Sequence, residues 1–236
     1  MKIIRTQINK PNRRKPVYVM NQEGLSDLEK RAVLEGVQEL VRLAQVGDLD
    51  IHDFGIWRQP DYKSSEGSLK SFQSVDWYVQ KGRETSRNRN QLNADTMQTS
   101  LLIEPWKDTQ RGGKDHYDVL IVHEDMHSQG TNFVIGLAQA GIGTVISTHR
   151  FKGLDDRLKR ECVKTETMHE VGHVFGLIPD NRTENVDYSL GKHCANKCVI
   201  RQGLRLPDDW INMTKDRLRY GALCQPCQRD LKAYFK

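Results

Sequence analysis

Two histidines and a glutamate within five residues form the pattern in this sequence that could most directly carry out chemistry. His169, Glu170 and His173 read H-E-x-x-H, and Gly176 follows three residues later. On an α-helix, residues four apart lie on the same face, so both imidazoles can reach one metal ion. Imidazole nitrogen suits zinc, and three protein ligands leave one position open for water. Glu170 could then accept a proton from that water as a general base.

The same short pattern occurs earlier in the chain, so its context has to separate the two copies. His123 and His127 follow an apolar, β-prone run and precede a cluster of turn-forming residues. At a strand end, residues four apart are separated by about 13 Å at about 3.3 Å per residue, which is too far to share an ion. The later copy continues a helical pattern of apolar residues, which predicts a helix over about 154–176. We therefore expect the metal site at the later copy.

The remaining elements predict a sheet that positions this helix. A capping box at Ser26 predicts a long helix after the first strand, and residues 92–102 are a candidate for a shorter one. Residues 60–90 are read as a long surface connection. We predict strands at 17–20, 51–57, 117–123, 133–139 and 144–149.

This order of elements is typical of an α+β fold. It predicts a mixed, mostly parallel, twisted sheet with an edge strand and two main helices, and all helices of this part are expected on one side of the sheet. The cysteine-containing segment after Leu177 is expected to form a small, irregular subdomain. We accordingly divide the chain into residues 1–177, which contain the active-site helix, and residues 178–236.

Composition limits the class of protein. Of 236 residues, 37% are hydrophobic and 28% are charged, and no apolar run approaches the roughly 20 residues that span a bilayer. No long apolar stretch follows Met1, so we expect no secretory signal, no membrane partner and a cytoplasmic location. The formal net charge is +5, with basic clusters at 10–15 and 83–89. No aromatic-interleaved motif of the RNA-binding kind accompanies them, so nucleic acid is not the expected partner.

Four of the five cysteines fall in two closely spaced pairs. In a chain without an expected secretory signal, such pairs indicate a metal site rather than a disulfide framework. Cys162, on the predicted active-site helix, is read as a small core residue. The paired cysteines are Cys194, Cys198, Cys224 and Cys227.

A catalytic zinc site needs a third protein ligand beyond the two histidines. Pro179 follows Gly176 three positions later and has no group that can bind a metal. Asp180 comes next, and His193 follows a polar stretch, directly before Cys194. From the residues alone, Asp180 and His193 both remain candidates.

These motifs resemble the archaemetzincin (archaelysin-type) zinc metalloproteases of the metzincin clan. That family runs H-E-x-x-H-x-x-G-x-x-H-C, then C-x-M and later C-x-x-C, and residues 133–138 and 145–147 resemble the two strands before its active-site helix. This sequence departs from the pattern in the spacing: the segment before the His-Cys pair is longer, only three residues separate Cys194 from Cys198, and the connection to the final cysteine pair is longer. It also departs at two residues: Pro179 occupies the slot of the third ligand, and Ile200 replaces a methionine that packs beneath the metal. The matching elements are His169-Glu170, His173, Gly176, His193-Cys194, Cys198 and Cys224-Gln225-Pro226-Cys227.

The resemblance implies a zinc-dependent peptidase with two zinc ions per chain. The catalytic ion would be held by His169, His173 and His193, with Glu170 as general base. The structural ion would be held by the four paired cysteines. The implied substrate is a peptide or protein that pairs in extended form with an edge strand. The strand residues are Phe133, Val134, Ile135, Gly136 and Leu137.

Several readings stay open beside this one. Tyr188 and Tyr220 are candidates for assisting at the oxyanion, although the sequence favours an ordinary packed tyrosine at each position. The Pro179 and Ile200 departures keep open a zinc-binding interaction protein with weak or no catalysis. A nucleic-acid-binding protein built on the four-cysteine module and the basic surface is a further alternative.

Overall fold

A computed structural model of the protein describes residues 13–58, 74–102 and 116–236. None of the helices in these ranges combines the length and apolar character needed to cross a membrane. The strands are β1 (Val17–Asn21), β2 (Ile51–Gly55), β3 (Gln91–Asn93), β4 (Tyr117–Val122), β5 (Asp125–His127), β6 (Gly136–Gln139), β7 (Gly143–Ser147), β8 (Val186–Asp187) and β9 (His193–Cys194). The helices are α1 (Asp27–Ala44), α2 (Val75–Glu84), α3 (Ala94–Leu102), α4 (Asp156–Val174), α5 (Asp208–Tyr220) and α6 (Gln225–Tyr234).

Five strands form the central sheet, in the order β2-β1-β4-β7-β6. β1 pairs in parallel with β2 and β4, and β4 pairs in parallel with β7. β6 runs antiparallel to β7 and forms one edge of the sheet. Every residue of β4 and β7 is buried, as expected for inner strands of a sheet that is covered on both faces. The predicted mixed, mostly parallel sheet with an edge strand is confirmed.

Helices α1 and α4 pack together on one face of the sheet. α1 begins at the predicted capping box, in which Ser26 and Glu29 exchange hydrogen bonds between side chain and backbone. Gly36 of α1 permits close approach, since a Cβ there would lie 2.9 Å from Cβ of Thr167 on α4. Lys159 of α4 forms an ion pair with Glu29 at 2.9 Å. These contacts hold α4, and with it the later H-E-x-x-H motif, against the sheet.

The opposite face of the sheet is covered by α2 and α3, so the expectation of helices on one side is corrected. Residues 75–84 form α2 within the stretch that we read as a surface connection, while residues 59–73 lie outside the described ranges. Tyr78 of α2 and Met97 of α3 pack with Leu120 of β4. The buried residues of α2 recur at helical spacing, but the many Ser, Lys, Arg and Gly residues of the whole stretch 60–90 led us to predict a connection; they are Val75, Tyr78, Val79 and Gly82. The helix expected at 92–102 begins at Ala94, because residues 91–93 pair as β3 with β5.

Isolated backbone hydrogen bonds extend the edge of the sheet ahead of β6. The strand begins at Gly136 rather than at Phe133. Upstream of it, the amide of Val134 donates to the carbonyl of Met126, and the carbonyl of Ile135 accepts from the amide of Ser147. These bonds hold the whole stretch 133–139 along one side of the sheet.

The segment after Leu177 contains two helices, α5 and α6, besides the irregular stretches that we expected there. Trp210 of α5 and Leu231 of α6 are buried in the same hydrophobic cluster as Met168 and Val171 of α4. α6 carries Pro226 in its first turn, where a missing amide hydrogen is tolerated. The division of the chain at residues 177 and 178 stays a prediction.

Candidate active site

The later H-E-x-x-H motif lies in the last turns of α4, as its spacing predicts. Asp155 caps this helix, and its carboxylate accepts a hydrogen bond from the amide of Leu158 at 3.0 Å. His169 and His173 therefore lie one turn apart on the same face, with their ring centroids separated by 4.9 Å. The earlier copy forms no such arrangement, and the ring of His127 instead lies against the hydroxyl of Ser86.

Each helical histidine is oriented by a backbone carbonyl. His169 Nδ1 lies 2.7 Å from the carbonyl oxygen of Val199, and His173 Nδ1 lies 2.6 Å from that of Leu177. A carbonyl oxygen only accepts, so each Nδ1 carries the proton and each Nε2 keeps a free lone pair. This is the arrangement that fixes metal-binding histidines in known metal sites.

Gly176 turns the chain back after the helix. Its φ of 73° lies in the left-handed region that favours glycine. A Cβ at this position would lie 2.6 Å from a ring carbon of Tyr234 on α6. The turn brings the Leu177 carbonyl back to His173, because the Leu177 amide donates to the carbonyl of Gly172 at 3.0 Å.

His193 completes a triangle of imidazoles. Its ring centroid lies 5.2 Å from that of His169 and 4.9 Å from that of His173. One ligand atom from each of the three rings lies within 4.8 Å of the other two. Nε2 of His173 and Nδ1 of His193 are buried and make no hydrogen bond within the described part of the chain. Buried nitrogens of this kind normally have a partner, so the triangle fits a metal ion that binds imidazole.

The electrostatics of the triangle favour neutral rings. Burial, followed by the neighbouring imidazoles, holds the pKa of His169 well below its usual range. Burial and the His193 ring lower the pKa of His173 to about 4, and burial lowers the pKa of His193 as well. Neutral imidazole is the form that binds a metal.

The other candidate for the third ligand lies apart from the triangle. Asp180 is exposed and forms an ion pair with Lys192 at 2.9 Å. It does not belong to either group of clustered ligand side chains in the described ranges. Of the two candidates, the structure brings His193 to the helix.

Glu170 lies between the histidines and the edge strand. Its Oε1 is 4.0 Å from His169 Nε2, and the side chain is buried. A Cβ on Gly136 of β6 would overlap the Glu170 carboxylate, so the strand can pass this close only with glycine there. Burial, and then the adjacent Glu166 carboxyl, raise the pKa of Glu170 well above its usual range.

Glu166 is a buried carboxyl that sequence analysis missed. It lies one helical turn before Glu170, and its Oε2 accepts a hydrogen bond from Trp210 Nε1 at 2.6 Å. Burial raises the pKa of Glu166 to about 8, although the bond from Trp210 acts to lower it. The four-residue spacing from Glu170 was a usable signal, but the partner on α5 is 44 residues away. Near neutral pH the buried pair therefore holds at least one proton.

The four paired cysteines form a second cluster directly beside His193. Their sulfurs lie within 4.8 Å of one another, and all five cysteines are free. Arg182, which sequence analysis also missed, donates hydrogen bonds to two of these sulfurs. Four thiolates at this separation suit a closed, tetrahedral metal site. Cys162 is buried away from them, in the core position that we predicted.

A cleft with a volume of about 1290 Å³ opens over the triangle. One side is formed by the predicted edge-strand residues, and another is formed by residues 178–181 and 190–192. The exposed side chains of Leu190 and Leu204 stand at its border. Tyr188 and Tyr220 do not line this cleft; both are exposed, and Tyr220 packs against Lys197.

Comparison with known proteins finds archaemetzincins among the proteins that this chain is similar to. The chain is 38% identical over 88 residues to archaemetzincin from Nanoarchaeum equitans, covering 37% of this chain and 40% of that protein. It is also 38% identical over 82 residues to archaemetzincin from Archaeoglobus fulgidus, covering 34% of this chain and 42% of that protein. Its fold matches the crystal structure of archaemetzincin from Methanopyrus kandleri, with a TM-score of 0.60 over 95% of this chain and 97% of that chain, at 20% identity. The chain is similar to archaemetzincins in part of its sequence and in its fold.

The similarity to these archaemetzincins is partial in sequence and broader in fold. The chain matches less than half of the length of the two curated relatives. No protein-family model matches it. Compared with the archaemetzincin pattern, residues 178–192 form a longer connection between the helix and the His-Cys pair. We refer to residues 178–192 as the insert.

Proposed function

We propose that the protein is a zinc-dependent peptidase whose catalytic zinc is held by His169, His173 and His193. The observation that carries the proposal is the triangle of neutral imidazoles with the Glu170 carboxylate beside it. Orienting carbonyls and unpaired ring nitrogens support this ligand set. The similarity to archaemetzincins in sequence and fold supports the same activity.

The chemistry can be assigned largely to side chains of this chain. When bound, zinc supplies a Lewis acid that lowers the pKa of water from about 15.7 toward about 7 and a positive charge that favours ionised Glu170. Glu170 accepts a proton from the attacking water and later donates it to the leaving amine. Gly136 lets the backbone of β6 pass close to this carboxylate, and the buried Glu166 side chain contacts it from the protein interior. Both contacts restrict the carboxylate to the side of the histidines.

A peptide substrate is proposed to lie along β6. Among the described residues, no strand pairs with the outer side of this edge strand, and backbone groups at such an edge can bind an extended peptide by strand addition. The same strand lines the cleft above the histidines. Strand addition would place the backbone of the substrate, rather than one particular side chain, next to Glu170.

A second, structural zinc is proposed at Cys194, Cys198, Cys224 and Cys227. Because Cys194 follows His193 directly, this ion would help to place the third catalytic ligand. We therefore propose that residues 178–236 supply both the third ligand and the structural site to the helix in residues 1–177. Two zinc ions per chain, one with nitrogen and oxygen neighbours and one with four sulfurs, are the expected metal content.

The test is peptide cleavage by three samples of purified protein. The native protein, chelated protein and Glu170→Gln would each be incubated with a library of quenched fluorescent peptides. We expect cleavage by the native protein, none after chelation with recovery on adding Zn²⁺, and a loss of at least about 100-fold in Glu170→Gln.

Three outcomes would contradict the proposal. Two bound zinc ions without cleavage would favour a zinc-binding interaction protein. Salt-sensitive affinity for nucleic acid that survives Glu170→Gln would favour the cysteine-based nucleic-acid binder. Cleavage that resists chelation would exclude the catalytic zinc.

A further inference from the structure

The insert contains a buried arginine that points into the cysteine cluster. Between Pro179 and Lys192, Arg182 is the single buried residue, with 4% of its side chain exposed. Its Nη1 donates to Cys227 Sγ at 3.2 Å and to Asp230 Oδ2 at 2.8 Å. Its Nη2 lies 3.5 Å from Cys194 Sγ. The guanidinium therefore contacts one sulfur from each cysteine pair.

The same side chain also donates hydrogen bonds to the backbone of the insert. Nε donates to the carbonyl of Glu184 at 2.9 Å, and Nη2 donates to the carbonyl of Asn185 at 3.3 Å. One planar group thus joins two carbonyls of the insert to two sulfurs and a carboxylate. A lysine could not reproduce this fork, because its ammonium is a single point charge.

The other ion pairs of the insert are exposed. Asp180 pairs with Lys192 at 2.9 Å, and the Asp180 side chain is fully exposed. Glu184 pairs with Arg229 at 2.6 Å, and more than half of each side chain is exposed. Exposed pairs of this kind contribute little to stability. Arg182 is therefore the main polar anchor among the described ion pairs of the insert.

Charge explains why this anchor depends on the cysteines. A guanidinium remains protonated in proteins, so a buried one needs anionic partners. Asp230 provides one carboxylate for this charge. Sulfur is a weak acceptor as a thiol and a strong one as a thiolate, and thiolate is the form that a metal ion requires. Loading the cysteines with metal should therefore strengthen the hold of Arg182 on the insert.

We propose that Arg182 is a positioning residue that couples the insert, which forms one side of the cleft, to the metal content of the cysteine cluster. With Zn²⁺ on the four thiolates, the guanidinium holds the insert closed against them and keeps Leu190 and the following His193 in place. Without the ion, the insert loosens. The coupling is reciprocal, so loss of Arg182 also weakens metal retention. The consequence for the cleft depends on the proposed peptidase function, whereas the coupling itself does not.

The test compares Arg182→Gln and Arg182→Lys with the wild type and with Arg229→Ala. Arg229→Ala is the matched control, because it removes an exposed ion pair from the same insert. The zinc-loaded full chain would be mixed with a chromophoric chelator, and zinc release would be followed together with the reactivity of the cysteine thiols. Hydrogen exchange of residues 178–192 would be measured in the same samples before and after zinc removal.

We expect Arg182→Gln to weaken zinc retention at the cysteines by about 10- to 100-fold, with an intermediate effect in Arg182→Lys. Arg229→Ala should retain zinc within about twofold of the wild type. Zinc removal from the wild type should raise amide exchange in the insert to the level of Arg182→Gln. The wild-type measurement tests the coupling even where a variant fails to fold.

Two results would overturn the coupling. One is that Arg182→Gln retains zinc as well as the wild type does. The other is that zinc removal leaves amide hydrogen exchange in the insert of the wild type unchanged. None of these measurements requires peptide cleavage. A protein that cleaves no peptide but shows the Arg182 effects would therefore refute the proposed function and leave this inference standing.

Discussion

The substitution Gly136→Ala tests whether the edge strand positions the proposed general base. Gly136 has no positive φ, so alanine can adopt its backbone conformation without strain. The added methyl group would, however, occupy the space of the Glu170 carboxylate. Glu170 is buried and has Glu166 behind it, so it has little room to retreat. The effect of the substitution should therefore fall on this carboxylate.

The size of the effect follows from the displacement. Relief of the overlap to an ordinary van der Waals contact requires Glu170 to move by roughly 1 Å. A misplacement of this size costs about 100-fold in rate, or about 2.7 kcal/mol of transition-state stabilisation. We expect kcat/KM for a cleaved peptide to fall by that factor. Zinc content should stay unchanged, since no histidine is among the nearest neighbours of the added Cβ.

The assay measures kcat/KM and zinc content in matched variants. Gly47→Ala is the control for the glycine-to-alanine change itself, because a Cβ there would meet nothing within 4 Å. In a Glu170→Gln background, Gly136→Ala should lower the residual rate no further, because both changes act on one group. A wild-type kcat/KM in Gly136→Ala, or an equal loss in both backgrounds, would refute the role of Gly136.

Three further predictions concern stability. Burial acts to raise the pKa of Glu29, but the bonds from Lys159 and the N-cap serine lower it from 4.5 to about 2. Glu29 therefore contributes about 3 kcal/mol to the free energy of unfolding above pH 4.5, and this contribution is lost as the pH falls toward 2. Urea unfolding of the wild type and of Glu29→Gln across this pH range should show the difference. Trp210→Phe leaves the buried Glu166 without its donor and should lower the free energy of unfolding by about 1.5–3 kcal/mol, measured by the same method. Ile200→Met conserves volume beneath the histidines and should change that free energy by less than about 1.5 kcal/mol, with zinc content retained; a larger loss would mean that the pocket excludes methionine.

Features set by local spacing could be predicted from the sequence. The capping box at Ser26 and Glu29 and the helical placement of His169 and His173 each depend on residues three or four apart. The buried strand β4 was readable from the continuous apolar run at residues 119–122. These elements were sufficient to predict the fold class and the helix that carries the histidines.

Features that depend on distant partners were not predictable in the same way. The buried residues of α2 recur at helical spacing, but this pattern does not reveal that they pack on the second face of the sheet. Glu166 and Trp210 are 44 residues apart, and Arg182 reaches Cys227 across 45 residues. An ordinary surface arginine and a buried one that anchors two sulfurs look alike in a sequence. Only the tertiary contacts distinguish them.

The third histidine shows why the two clusters have to be understood together. Spacing left Asp180 and His193 open, because an insert of variable length carries no periodicity. The structure joins the clusters through the stretch from His193 to Ile200, in which the Cys194 amide donates to the Ile200 carbonyl at 2.8 Å.

Within that stretch, the Val199 carbonyl orients His169, and the Ile200 side chain packs against Gly172 on the same helix. A loop whose first residues belong to both clusters cannot move at the cysteines without moving at the histidines. Loss of metal from the cysteines should therefore disturb His193 and His169 together, even though neither residue binds that ion.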